Sequence, residues 1–184
     1  MVQVTPEAAR MGGSQVYLDP KEQFSVEELL YALMVQSAND AAVAIAEHIG
    51  GSVEGFADMM NEEAQAIGAT NSHFVNPHGL NAENHYVTAY DMYLIFNEAL
   101  KYDTVNEIIS MTSYDTVYTD KNGSEKTLSV KNTNQYLAGN VAAPDRVTVI
   151  GGKTGTTSAA GNCLILLARD TSGNPYIAVI LKSA

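Results

Sequence analysis

Apolar residues recur at helical spacing through the first half of the chain and alternate in the second. Ser25 with Glu28 forms a capping-box pattern ahead of Leu29, Leu30, Leu33 and Met34, which predicts a helix. A second helix is expected from Asn39–Asp40 through AAVAIAEHI to a stop at Gly50-Gly51. A third starts at Ser52, presents Phe56, Met59, Met60, Ala64 and Ile67 on one face, and ends at Gly68. The Asn-, Pro- and Gly-rich stretch ATNSHFVNPHGLNAENHY reads as a loop. Thr88 with Asp91 opens a helix through Met92, Leu94, Ile95, Phe96 and Leu100, and a short one follows over 105–110.

Beyond that point the period changes to two. Residues 112–119 alternate, KNGS at 121–124 is a hairpin-type turn, and 126–131 returns. Stronger strands are predicted at Val147–Thr154, Cys163–Arg169 and Tyr176–Leu181, the last two joined by DTSGNP. Helices first and antiparallel strands last give an α+β arrangement, an α/β-type domain with helices packed on a sheet.

The length of 184 residues fits one domain, 1–184, and 46% hydrophobic residues are enough for a core. Ten basic against 21 acidic residues leave a net charge of −11, which excludes a nucleic-acid binder built on clustered Lys and Arg. Cys163 is alone, so no internal disulfide forms. No apolar run approaches the roughly 20 residues of a membrane span. The opening MVQVTPEAARM carries no apolar signal-peptide core, so the chain is either cytoplasmic or begins after a targeting segment.

Two motifs bear on chemistry. Ser37-Ala38-Asn39 falls at a helix junction, where residues of these types ordinarily serve as caps. Gly151-Gly152-Lys153-Thr154-Gly155-Thr156-Thr157 sets a lysine at a strand end among glycines that would let a ligand approach the backbone. That lysine could meet a carboxylate or a phosphate, but the phosphate-loop spacing is not met. His73, His78 and His85 match no metal-ligand spacing, and no metal or cofactor is expected. Met34, Met59 and Met60 read as core, and Cys163 as an inert thiol at the start of a core strand.

Taken together, Ser-x-Asn at a helix junction and Lys-Thr-Gly on a later strand resemble the penicillin-recognising serine hydrolases. The stretches SVEELLYALMVQSANDAAVAIAEHIGGS, NSHFVNPHGLN, HYVTAYDM, VKNTNQYL and VIGGKTGTTSAAGNCLI narrow this to a resemblance to the D-alanyl-D-alanine carboxypeptidases, peptidase family S11. It extends from about residue 2 to 182. Class A β-lactamases share the short motifs but not HFVNPHGLN and HYVTAYD.

The resemblance implies a β-lactamase/DD-peptidase-like fold and acyl transfer from the D-Ala-D-Ala end of a peptidoglycan stem peptide, by a serine that penicillin also traps. It implies Ser37 as a proton relay, Asn39 bonded to the substrate amide and the catalytic lysine, and Lys153 attracting the terminal carboxylate. Thr154 would bond that carboxylate, Gly155 would give clearance, and the backbone N–H of Thr156 would supply half of an oxyanion hole. Thr156 is a mild departure, since the family frequently has an aromatic or other side chain at that place, and this touches rim preference rather than the backbone donor.

No serine in the chain is followed three residues on by lysine, so the family's Ser-x-x-Lys nucleophile motif is not in it. The expectation is an S11 domain truncated at both ends, inactive alone and extracytoplasmic when whole. Strand Tyr176–Leu181 would then be an apolar edge prone to self-association. Two alternatives remain at this stage. One is a non-catalytic module for cell-wall peptides. The other is a β-lactamase relative, for which no positioned glutamate motif is found.

Overall fold

A computed structural model of the chain describes residues 1–183. Among these residues a short strand pair, β1 Val2–Gln3 with β2 Gln23–Phe24, precedes five α-helices: α1 Val26–Gln36, α2 Asn39–Gly50, α3 Val53–Ala66, α4 Ala89–Ala99 and α5 Asp103–Ser110. Two antiparallel sheets follow. One pairs β3 Ser113–Thr119 with β4 Glu125–Lys131, and the other holds β5 Val147–Thr157, β6 Gly161–Asp170 and β7 Pro175–Ser183. In that sheet β6 is central, with Lys153 opposite Ile165 and Leu166 opposite Ala178. The architecture is the α+β arrangement that the change of period implied.

Side chains fix the helix ends as expected. Ser25 accepts from the Glu28 N–H and Glu28 returns a bond to the Ser25 N–H, a complete capping box. Ser52 and Thr88 cap α3 and α4 by accepting from the Gly55 and Asp91 N–H groups. The β3–β4 and β6–β7 turns use one device. Asp120 Oδ1 accepts from the N–H groups of Asn122 and Ser124, at 2.8 and 2.9 Å. Asp170 Oδ1 accepts from those of Ser172 and Asn174, at 2.8 and 2.9 Å. Gly123 and Gly173 supply the left-handed residue at φ 83° and 84°. The Ser124 and Asn122 N–H bonds hold the Asp120 carboxyl below its ordinary range, and the Asn174 side-chain amide, followed by the backbone N–H bonds, does the same for Asp170.

The larger apolar cluster gathers Leu29, Ala32 and Val35 of α1, Ala41, Val43, Ala44 and Ile45 of α2, and Leu128 and Val130 of β4. The smaller holds Phe96, Ile109, Ile165 and Leu167, with Ile177 and Val179 packed on it. Met34 packs against both, joining helices to sheet. The first eight residues of α2, Asn39–Ala46, are buried all round, because its small alanines let α1 and α3 close on it.

Three sequence expectations change. Val2–Gln3 and Gln23–Phe24 form a short strand pair, too brief for alternation to show, that buries Val2 and Phe24. Met59 is 45% exposed rather than core, because α3 buries Ala57 and Ala64 instead. α3 stops at Ala66, and Ile67 caps it ahead of Gly68.

The Ser37–Asp40 junction also differs from a simple cap. Ala38 is the N-cap of α2 and makes no side-chain bond. Asp40, wholly buried, accepts from the N–H groups of Ala41 (3.0 Å), Leu18 (3.1 Å) and Val16 (3.2 Å). Truncating it strands these donors in the interior. Asp40→Ala is expected to destabilise the fold by about 2–4 kcal/mol, read by urea or thermal denaturation. A loss below about 1 kcal/mol would contradict this role.

Candidate active site

α1 ends at Ser37, whose backbone takes the left-handed conformation (φ 61°, ψ 40°). Glycine is the usual residue there, and serine pays roughly 1 kcal/mol in steric energy to adopt it. The conformation turns the chain sharply into α2 and leaves the Ser37 hydroxyl beside the Lys153 ammonium, which donates to it. Lys153 also donates to the Thr154 carbonyl at 2.9 Å. Residues 116 positions apart are thus joined across the helix–sheet boundary.

Asn39 is fixed from the other side. Its side-chain amide donates to the Gly12 carbonyl at 2.8 Å, and its backbone N–H to the Ser14 carbonyl at 2.8 Å. Among the described residues its Oδ1 accepts no hydrogen bond. Gly13 leaves the room, since a Cβ there would lie 2.6 Å from Asn39 Nδ2.

Burial lowers the Lys153 pKa from 10.5 to about 8. Among the described residues the ammonium has no carboxylate partner. Such a group can attract an incoming anion when charged, and can accept a proton near neutral pH when it is not.

The remaining strand residues divide into two kinds. A Cβ on Gly151 would meet the Ile109 carbonyl oxygen at 2.3 Å, and one on Gly152 the Ile165 oxygen at 2.1 Å. Those two glycines serve packing of β5 on α5 and β6, not ligand access. Gly155 differs: it is exposed, and a Cβ there would have Cys163 Cβ as its nearest neighbour at 3.9 Å. Thr154 is half-buried and its hydroxyl pairs with that of Thr133. Thr156 is exposed and bonds Asn162 at 3.2 Å.

Three neighbours were not singled out from sequence. Asp40 carries no local signal beyond its place at a helix start. Thr133 lay unremarked in VKNTNQYL. Asn81 accepts from Thr157 at 2.7 Å and donates to Ser158 at 3.2 Å, docking the long loop onto the end of β5. Within that loop, His85 Nδ1 accepts from the Val75 N–H at 3.0 Å and His78 Nδ1 from the Leu80 N–H at 3.2 Å. Burial lowers both histidine pKa values, favouring the neutral rings that accept these bonds. Among the described residues no cluster of three potential metal ligands forms.

This fold, with a lysine strand facing a serine–asparagine helix junction, defines the β-lactamase-like class of DD-peptidases, to which the similar solved structures belong. A profile of the family described as D-alanyl-D-alanine carboxypeptidase, peptidase S11, matches residues 1–184, and the chain belongs to that family. It is 39% identical over 170 residues to the D-alanyl-D-alanine carboxypeptidase DacF of Bacillus subtilis, covering 91% of this chain and 41% of that protein. It is 34% identical over 180 residues to DacC of Escherichia coli, covering 98% and 41%. The crystal structure of a Streptomyces DD-transpeptidase superposes with a TM-score of 0.88 at 29% identity, covering 98% of this chain and 70% of that one. The chain therefore spans about two fifths of the length of these curated relatives.

The Lys153 shift can be read directly. Its side-chain NMR signal is expected to titrate with a midpoint near 8 rather than 10.5. The folded pKa is the lower one, so the unfolded chain binds this proton more tightly. Lys153 thus makes stability rise as pH climbs from about 8 towards 10.5. A midpoint at the ordinary value would show the ammonium to be well solvated.

Proposed function

We propose that residues 1–184 form one incomplete domain of a serine-type D-Ala-D-Ala carboxypeptidase that acts on peptidoglycan stem peptides through an acyl-enzyme. The observation that carries this reading is the bond from Lys153 to Ser37, which sets an unpaired cation beside a hydroxyl and the free Oδ1 of Asn39. The nucleophile and its lysine come from outside this chain, in which no Ser-x-x-Lys occurs.

In this reading Lys153 draws the C-terminal carboxylate of the peptide to β5, where Thr154 donates a hydrogen bond to it. The exposed, side-chain-free edge at Gly155 leaves space for the terminal D-residue. Asn39 orients the scissile amide, and Ser37, bonded to Lys153, relays a proton towards the departing amine. The Thr156 N–H stabilises the developing oxyanion, worth about 2.7–4 kcal/mol where one such donor is removed. β-Lactams occupy the same groove in the intact enzyme, which works outside the cytoplasmic membrane. Among the described residues no helix is long and apolar enough to span a membrane.

Titration with N-acyl-D-Ala-D-Ala is expected to perturb the NMR signals of Ser37, Asn39, Lys153 and Thr154, and the L,L-diastereomer is not. Equal shifts with both would overturn the substrate assignment. Fluorescent penicillin is expected to leave the 184-residue chain unlabelled, and a covalent adduct would place the nucleophile within it.

The outer strand supports a second property of the chain alone. β7 pairs with β6 only among the described strands, and it exposes Tyr176 (56%) and Ile180 (48%). An apolar edge of this kind templates pairing with another chain. Sedimentation is expected to show self-association that Ile180→Lys reduces, whereas a monodisperse monomer would refute it.

A further inference from the structure

We infer that Thr133 is a positioning residue that aims the Thr154 hydroxyl at an incoming carboxylate and so sets the preference for a charged peptide terminus. The inference rests on the carboxylate-binding reading of Lys153 and Thr154 given above.

The two hydroxyls are paired. Each carries one proton and can both donate and accept. If Thr154 spends its proton on Thr133, it has only lone pairs to offer an anion. If Thr133 donates, Thr154 keeps its proton for the carboxylate, and the chain Thr133 O–H to Thr154 O–H to carboxylate is mutually polarised. The Lys153 ammonium lies against the Thr154 carbonyl, at 2.9 Å. Its positive charge favours arrangements in which an anion arrives at Thr154 and that proton points outward.

Thr133 is held where it must be for this. It lies between two asparagines whose side-chain oxygens accept from backbone N–H groups. Asn132 Nδ2 donates to the Met111 carbonyl at 2.6 Å, and its Oδ1 accepts from the Asn134 N–H at 2.8 Å. Asn134, 1% exposed, accepts from the Tyr136 N–H at 3.0 Å. The Asn132 N–H donates to the Thr112 carbonyl at 2.9 Å. This loop continues from the end of β4 and is tied to the end of α5, so Thr133 approaches β5 from a rigid support rather than from a mobile arm.

The test compares binding of an N-acyl-D-Ala-D-Ala peptide with its D-alaninol analogue, which ends in a neutral carbinol, in the full chain and in Thr133→Val and Thr133→Ser. Wild type is expected to prefer the carboxylate. Thr133→Val is expected to lose roughly five- to tenfold of that preference through weaker carboxylate binding, leaving carbinol binding unchanged, while Thr133→Ser restores it. Denaturation of each variant accompanies the measurement, because a merely structural role would lower both affinities together. Thr133→Val keeping the full preference, or losing both ligands equally, overturns the role of Thr133 while the carboxylate site stands. Wild type binding both ligands equally overturns the site reading and the inference with it.

Discussion

Placing the reactive-type side chains depends on a single buried charge. The Asp40 carboxylate sits at the start of α2, and its three backbone partners pull residues 16–18 against the helix junction. A buried carboxylate is tolerable when its oxygens are filled in this way, and very costly otherwise. With that segment in place, Gly12 and Ser14 come within reach of Asn39. The junction is then fixed from Asn39 and Asp40 on one side, and α1 must end in the left-handed turn at Ser37 to enter it. Chain direction, not side-chain preference, puts the Ser37 hydroxyl where Lys153 meets it.

The sheet meets this junction through packing of an ordinary kind. Ile165 and Leu167 of β6 join Phe96 and Ile109, and Met34 links that cluster to the helical core. The site therefore lies on the seam between two apolar clusters. A seam of this sort excludes water enough to depress an ammonium pKa, yet remains open along one edge, where Gly155 and Thr156 are exposed.

Most elements were legible because they carry local signals. The capping pairs Ser25–Glu28 and Thr88–Asp91 mark helix starts by themselves, and the Asp-x-x-Gly turns mark hairpins. Local signals fail where partners are distant. Nothing near Met59 says that Ala57 faces inward instead, since a small residue is chosen for helix proximity rather than for hydrophobicity. The glycines of β5 look alike along the chain, but two answer to the backbones of α5 and β6, visible only in three dimensions. Thr133 and Asn81 share this limit. Their meaning lies in hydroxyls 21 and 76 residues away.

The two packed glycines make β5 an unusually inflexible stretch for evolutionary change. Gly151 and Gly152 are held by main-chain atoms that cannot be repacked, and Lys153 follows them immediately with a tie to the helical half. Drift in specificity is therefore channelled to the exposed end of the strand. At Thr156 and Ser158 a new side chain meets solvent rather than backbone. Related chains should diversify at this rim while their glycine pair stays fixed, so that one strand carries both the most constrained and the most adaptable positions of the site.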